Sequence, residues 1–288
     1  MKVRDFLIRA HLSAGFNQNY MKRLVEFLQV KKHLPDKEEL DLIITKMSAH
    51  TKQRFLEEFN GEVSQKRLLA NRDFAPIVTI FDENYPQLLK EASQPPAVLF
   101  YRGNLDLVNH YCLGVVGARK STAYGANVLR QLMPDILRDD LTTVSGLAAG
   151  IDGLTHQLTL ANHGHTIGVI GTGLDRAYPK RKYPLQEEVA QKGLLLTEYG
   201  LGDAPKAYHF PARNRIIAGL SQAVLVVEAK KRSGSLITAN LALEDNRSVL
   251  AVPGSISADN SDGCNELISA GAKPVLSAKD ILEEYQYL

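Results

Sequence analysis

The chain has 288 residues, of which 44% are hydrophobic, and its formal net charge is only +2. This length and apolar content suffice for one large domain with a smaller companion, and they exclude an intrinsically disordered chain. The small net charge means that any affinity for a polyanion must come from local clusters of Lys and Arg.

The amino-terminal segment, residues 1–72, is charged and has helical patterns such as MKRLVEFLQVKKHL and DKEELDLIITKMSAHTKQRFLEEF. It has few strand signals. We therefore predict a small all-helical domain over residues 1–72.

Residues 77–288 alternate short β-branched runs with amphipathic segments, from LGVVGA and AYGANVLRQLMPDIL to KPVLS and KDILEEY. Strand runs this apolar, separated by helices, are typical of a mainly parallel sheet that is covered on both faces. The predicted fold class is α/β, with a Rossmann-like doubly wound sheet over residues 77–288. Such sheets bind ligands beyond the carboxyl ends of their strands.

Four turns that follow predicted strands carry glycines, hydroxyl groups and cations. They span residues 117–122, 145–152, 171–183 and 230–235, and the third contains the run Lys180-Arg181-Lys182. In a parallel sheet these turns share one edge, and glycine turns that open helices present N–H groups to anions. The sequence therefore predicts an anionic ligand at this edge.

The stretch YHFPARNRIIAGLSQ places Arg213 and Arg215 on either side of Asn214. Arginine grips phosphate bidentately. Phe210 provides a flat surface on which an unstacked base can lie. Cations interleaved with aromatic residues favour a single strand of nucleic acid.

Enzymatic alternatives have less support. The sequence has no G-x-x-x-x-G-K-[ST] motif, and GVIGTG has its glycines in the wrong order for G-x-G-x-x-G. Four carboxylates near strand ends are interpreted as caps or as partners of arginines rather than as catalytic groups: Asp152, Asp175, Glu198 and Glu228.

No metal site or cofactor is expected. Cys112 and Cys264 are far apart and form no CxxC pair, which argues against a disulfide framework or a structural zinc site. His163 and His165 flank Gly164 in what reads as a surface turn, without further ligands at metal-binding spacing. The absence of a signal peptide and of an apolar run of about 20 residues predicts a cytoplasmic protein that does not enter a membrane.

Over about 200 residues the sequence resembles the DNA-processing protein A family, also called DprA or Smf. The matching motifs occur in order: YPQLLKEASQPPAVLFYRGN at 85–104, VVGARKSTAYG at 115–125, VSGLAAGIDGLTH at 144–156, TIGVIGTGLDRAYP at 166–179, FPARNRIIAGLS at 210–221, EAKKRSGSLITA at 228–239 and VPGS at 252–255. The segment GCNELISAGAKPV follows them. The helical segment is similar to the sterile-alpha-motif-like domain of some members.

The resemblance implies a non-catalytic, homodimeric protein that binds and protects incoming single-stranded DNA during natural transformation and helps load the recombinase RecA. Carried over to matching positions, the DNA-binding residues of the family are Arg119, Ser145, Gly146, Lys180, Lys206, Phe210, Arg213, Asn214, Arg215 and Ser235. Apolar stripes in residues 235–288 suggest self-association through this region, and core packing explains the same stripes equally well. The winged-helix-like domain of many relatives is not expected here, because the sequence ends soon after the last predicted strand and helix.

The alternative hypothesis is a Rossmann-like nucleotide-processing hydrolase, similar to the phosphoribohydrolases, that uses the same turns for one mononucleotide. Those enzymes carry a PGGxGT-type turn followed by a Glu, whereas the comparable turn here reads Arg232-Ser233-Gly234-Ser235-Leu236. A purely structural partner-binding module is a third reading, and the four basic turns speak against it.

Overall fold

A computed structural model describes residues 2–180 and 183–286. The amino-terminal segment forms five helices: α1 (Val3–Leu12), α2 (Gln18–Lys31), α3 (Lys37–Ile43), α4 (Ala49–Asn60) and α5 (Glu62–Phe74). Side chains start several of them. Asn17 accepts hydrogen bonds from the backbone of α2, and Asp36 and Glu39 form a capping box on α3.

The rest of the described chain alternates strands and helices. The strands are β1 (Ile77–Thr79), β2 (Val98–Gly103), β3 (Cys112–Val116), β4 (Thr142–Ser145), β5 (Thr166–Ile170), β6 (Leu194–Thr197), β7 (Ala223–Val226), β8 (Ser248–Ala251) and β9 (Lys273–Pro274). The helices are α6 (Gln87–Lys90), α7 (Ala123–Arg138), α8 (Ile151–Ala161), α9 (Tyr183–Lys192), α10 (His209–Leu220), α11 (Gly234–Glu244), α12 (Asp262–Ser269) and α13 (Ala278–Leu282). Short 3-10 helices span Leu105–Asn109 and Glu283–Tyr285.

Within the described residues the strands form one sheet in the order β1-β2-β6-β5-β4-β3-β7-β8-β9. In this order, neighbouring strands from β6 to β9 are parallel. Strand β2 is antiparallel to both of its neighbours, β1 and β6. The strand order reverses between β3 and β7, and ligands of doubly wound sheets bind at such a switch point. The α/β, Rossmann-like, mainly parallel fold class is confirmed. The sequence analysis did not identify β1 and β2.

Helices cover both faces of the sheet, as strand β3 shows. Leu113 and Val115 pack in a core cluster with α7 and α13, while Cys112 and Val116 belong to the larger cluster that includes α10. Successive side chains of a strand point to opposite faces, so this division places helices on each side. It explains why β3 to β7 are buried at every position rather than at alternate positions.

The helical segment packs against the sheet. Its buried side chains, among them Phe6 and Phe55, form one continuous core cluster with Phe100 of β2. The Nε2 atom of His11 lies 2.6 Å from the carbonyl oxygen of Glu198, which follows β6. No helix in the described ranges is both long and apolar enough to cross a membrane.

Candidate functional site

A cleft of about 570 Å³ lies at the carboxyl ends of β3 and β7, at the switch point of the sheet. We call it the main cleft. Six of the predicted binding residues line it: Arg119, Lys206, Phe210, Arg213, Asn214 and Ser235. A smaller side cleft of about 180 Å³ shares Arg119, Phe210 and Arg213 with it and is also lined by Gly146. Three cations from two chain segments, the turn after β3 and the start of α10 with its preceding loop, therefore line one cavity.

The turns after β3 and β4 interlock beside the main cleft. The backbone N–H of Ile151, which begins α8, donates to the carbonyl of Ala118 at 3.2 Å. Gly150 has φ of +76° and lies so close to Ala118 that a Cβ would overlap its carbonyl oxygen. Only glycine tolerates both the left-handed backbone and this approach. Leu147 also has a positive φ, a conformation that is rare for a residue with a branched side chain and is found most often at functional sites.

Arg213 of α10 forms the floor between the two clefts. It is 4% exposed, and its buried Nε and Nη1 atoms have no hydrogen-bond partner among the described residues. Burial lowers the pKa of this guanidinium from its ordinary value, which the nearby Asp152 carboxylate opposes. Buried charged groups are normally paired, so the donors of Arg213 are in place for an anion.

Asp152, in the first turn of α8, is the buried acid of the site. Burial raises the pKa of its carboxyl, whereas Arg213 and hydrogen bonds from the backbone of Ala148 and Gly146 lower it. These hydrogen bonds hold the glycine turn after β4. The carboxylate therefore organises the turn and partly balances the charge of Arg213.

Two aromatic side chains, Tyr178 and Phe210, form a wall of both clefts. The rings of Tyr178 and Phe210 have centroids 5.5 Å apart, and Cζ of Arg119 lies 5.5 Å from the centroid of Phe210. Tyr178 is 53% exposed and lines both clefts. It is absent from the predicted site residues. Its ring contact with Phe210 places it in the same wall.

The amino terminus of α11 closes the other side of the main cleft. The Nδ2 atom of Asn214 donates to the carbonyl of Gly234 at 3.2 Å, which ties α10 to this turn. The Oγ atom of Ser233 is buried without a partner among the described residues, and Ser235 lies beside it. Hydroxyls and free N–H groups at a helix start favour an anion. Ser233 was absent from the predicted set, although it lies in the same turn as Ser235.

Three predicted residues do not face the clefts. Ser145 is fully buried, and its hydroxyl donates to the carbonyl of Val115 at 2.6 Å. Arg215 is buried, and its Nη2 atom lies 2.7 and 2.6 Å from the two carboxylate oxygens of Glu198. Lys180 is exposed outside the lining of both clefts, and the cations Arg181 and Lys182 fall outside the described residues.

The remaining strand-end carboxylates and two lysines of the turn after β7 have structural partners. Glu228 is buried and accepts hydrogen bonds from the backbone and hydroxyl of Thr122, which begins α7. Asp175 accepts from the backbone of Gly202. In the turn after β7, Lys230 pairs with Asp259 and Lys231 with Glu266, each at 3.0 Å. Those two lysines contribute to the basic sequence pattern but do not line the clefts.

A family model described as DNA recombination-mediator protein A matches residues 76–286. The chain belongs to the DNA-processing protein A family. This confirms the resemblance found in the sequence. The matched region contains all the described strands of the sheet and every residue that lines the two clefts, whereas the helical segment lies before it.

Curated relatives with similar sequences support the same family assignment. The chain is 49% identical over 212 residues to DNA processing protein DprA of Streptococcus pneumoniae, covering 74% of this chain and 75% of the relative. It is 45% identical over 208 residues to DprA of Bacillus subtilis, covering 72% and 70%. Protein Smf of Escherichia coli is 38% identical over 244 residues, covering 84% of this chain and 65% of that protein.

Two solved structures of the DNA-processing protein A family are similar. The X-ray structure of DprA from Streptococcus pneumoniae superimposes with a TM-score of 0.91 at 39% identity, covering 99% of both chains. That of DprA from Helicobacter pylori, which concerns the single-stranded DNA binding mode of that protein, gives a TM-score of 0.66 at 28% identity and covers 74% of this chain and 97% of the other. The helical segment is thus part of the likeness to the first structure.

Proposed function

We propose that the main and side clefts bind single-stranded DNA and that the protein acts as a recombination mediator without catalytic activity of its own. The observation that carries this proposal is Arg213, a buried guanidinium that lines both clefts and has two donors without a partner in the described chain. A phosphate group supplies the acceptor oxygens and the negative charge that this guanidinium needs. Arg119 and Lys206 extend the positive charge along the same cavity.

The shape of the site favours a single strand over a duplex. Phe210 and Tyr178 present ring faces inside the recess, and a base reaches them only when it is unpaired and turned out of its stack. Stacking of this kind contributes about 1–3 kcal/mol per base and tolerates any sequence. Phosphate contacts carry no sequence information either, so we expect little sequence preference.

The family relationship supports this proposal. The matching model describes a DNA recombination mediator, and the related Helicobacter pylori protein has a described single-stranded DNA binding mode. On this basis we propose, as the sequence suggested, that the bound strand is incoming transforming DNA in the cytoplasm. The protein would protect it there and help load RecA onto it.

Homodimerisation is part of the same proposal. Two clefts on one strand would raise avidity through effective concentration, without any new contact. The region 235–288 presents the exposed apolar side chains of Ile256 and Leu276, which are 93% and 77% exposed. Sedimentation of the double variant Ile256→Asp, Leu276→Asp tests this region. A dimer that is unchanged in the double variant would place self-association elsewhere.

Fluorescence anisotropy with a labelled oligonucleotide tests binding. We expect the single strand to bind more tightly than a hairpin duplex of the same composition. Its affinity should fall with salt with a logarithmic slope of about −2, as for three phosphate contacts at about 0.7 each. Equal affinity for the duplex, or no salt dependence, would contradict the proposal.

The same purified protein can be used to distinguish DNA binding from the hydrolase alternative. The carboxylates near the clefts are engaged in holding turns, and Asp152 is buried beneath Arg213. We therefore expect no release of free base from nucleoside monophosphates, and only weak competition by them against the oligonucleotide.

RecA loading is tested by RecA filament formation on DNA coated with single-strand-binding protein, in the presence and absence of this chain.

A further inference from the structure

Three side chains able to ligate a metal meet at the edge of the sheet opposite the clefts. His110 precedes β3, Asp140 precedes β4 and His165 precedes β5, and these three strands are parallel neighbours. Their amino-terminal ends therefore lie side by side. The spacing of the three residues along the chain matches no local metal motif, so only the sheet brings them together.

The geometry is close to that of a metal centre. One ligand atom from each residue can be chosen so that all three atoms lie within 4.8 Å of one another. The Nε2 atom of His165 is 3.7 Å from Oδ1 of Asp140, and the rings of His110 and His165 meet edge to face with centroids 5.4 Å apart. Ligand atoms around tetrahedral zinc are about 3.3 Å apart, since each bond is about 2.0–2.1 Å. Rotamer changes that bring the ligand atoms closer together by up to about 1.5 Å would complete the site.

Two further observations point to a ligand. The Nδ1 atom of His110 is buried and has no hydrogen-bond partner in the part of the chain that the structure describes. Asp140 lies just after the carboxyl end of α7 with φ of +57°, a position where glycine or asparagine is usual. A carboxylate there faces the negative end of the helix dipole, which is locally unfavourable. A bound cation would compensate both features.

We propose that His110, Asp140 and His165 bind a zinc ion. Two imidazoles and a carboxylate are a ligand set that suits Zn²⁺, with water in the fourth position, and they disfavour the hard cations Mg²⁺ and Ca²⁺. The ion would link the three connections that lead into β3, β4 and β5, at the opposite end of the strands from the clefts. It would thus be a cross-link that does not contact DNA.

The chain offers matched controls for a test. His163 lies two residues from His165 and is exposed, and Asp139 precedes Asp140, yet neither belongs to the cluster. Asparagine replaces each residue, because asparagine tolerates the positive φ of Asp140 and His163. The comparison is therefore His165→Asn with His163→Asn, and Asp140→Asn with Asp139→Asn.

The full chain without a histidine tag is titrated with Zn²⁺ against a chromophoric chelator. Visible absorption of added Co²⁺ reports tetrahedral coordination. We expect one ion per chain, a rise in melting temperature with Zn²⁺ and none with Mg²⁺, and at least about tenfold weaker binding in His165→Asn and Asp140→Asn. The two controls should bind as the unaltered chain does, and melting without metal checks that every variant folds.

Binding that is equally strong in the cluster variants and the controls would show adventitious attachment to surface histidines and would overturn the proposal. So would the absence of a tetrahedral Co²⁺ spectrum. Single-stranded DNA affinity should be the same with and without Zn²⁺, and a metal requirement for DNA binding would overturn the assignment of the ion as a cross-link away from the DNA.

Discussion

The guanidinium of Arg213 lies directly against the backbone of Gly146, so closely that a Cβ at Gly146 would overlap its Nη1 atom. This contact joins α10 to the turn after β4. It places the positive charge between the main and side clefts, where both cavities reach it. The absence of a side chain at position 146 thus decides where the guanidinium can lie.

Gly146→Ala should displace the guanidinium and weaken single-stranded DNA binding about as much as Arg213→Ala does. A charge-assisted hydrogen bond contributes about 1.5–3 kcal/mol, so we expect a loss of about 10- to 100-fold in affinity. The double variant should lose little more than either single variant, because both changes remove the same contact. Anisotropy titrations of the three variants provide this cycle, and additive losses would contradict it.

Arg213 and Arg215 should respond differently to replacement by methionine. Arg213 has buried donors without partners in the described residues and only a charge interaction with Asp152, so Arg213→Met should cost less stability than Arg215→Met while lowering DNA affinity. Arg215 is paired with the largely buried Glu198, and Arg215→Met should cost about 3–5 kcal/mol of stability. Urea denaturation measures both. Destabilisation by Arg213→Met similar to that by Arg215→Met would mean that Arg213 has a structural partner.

Chain patterns predicted the parallel sheet well, because apolar runs followed by amphipathic helices record a strand that is covered on both faces. They did not reveal β1 and β2. The run that contains β2 follows two prolines and precedes a 3-10 helix, so it lacks the alternation with helices that marked the other strands. Its antiparallel pairing to β6 is a tertiary event with no local signature.

The site was predictable at the level of turns but not of individual side chains. Strand-end position predicted that Arg119, Phe210 and Arg213 lie at one edge of the sheet, and the three residues line one cavity. The same reasoning did not distinguish Arg213 from Arg215, since residues two apart on a helix point in different directions. It also did not show that the Ser145 hydroxyl donates a hydrogen bond to the carbonyl of Val115 in β3. Such distinctions depend on burial and partners, which appear only when the chain is folded.

Phe210→Ala and Arg119→Ala should weaken binding in ways that salt distinguishes. Loss of the Phe210 ring removes stacking and should cost about 1–3 kcal/mol at every salt concentration. Loss of Arg119 should reduce the logarithmic salt slope by about 0.7. Lys120→Ala is the matched control, because Lys120 is adjacent and exposed but does not line the clefts. Anisotropy at about 50 and 200 mM salt separates these effects. A changed slope in Phe210→Ala, or an unchanged one in Arg119→Ala, would reverse the assigned roles.

Asp152→Asn should tighten DNA binding and change the pH dependence of stability. The amide oxygen can still accept from the backbone of Gly146, while the negative charge near the phosphate path is removed. The gain should be about 1 kcal/mol, for charges about 8 Å apart at an effective dielectric constant between about 20 and 80. Anisotropy at neutral pH measures this gain, and an unchanged or weaker affinity would show that the carboxylate does not oppose the bound strand.

The effect of pH on stability has a definite sign. Burial raises the pKa of Asp152 in the folded state, so the folded chain holds this proton more tightly than the unfolded chain does. The contribution of Asp152 to stability is therefore greatest below the unfolded pKa of about 3.9, and it falls as pH rises from there to the raised folded pKa. The stability of Asp152→Asn relative to the unaltered chain should thus increase with pH across that window. Urea denaturation of both proteins at several pH values measures the difference, and a difference that shrinks as pH rises would show that the Arg213 charge outweighs burial.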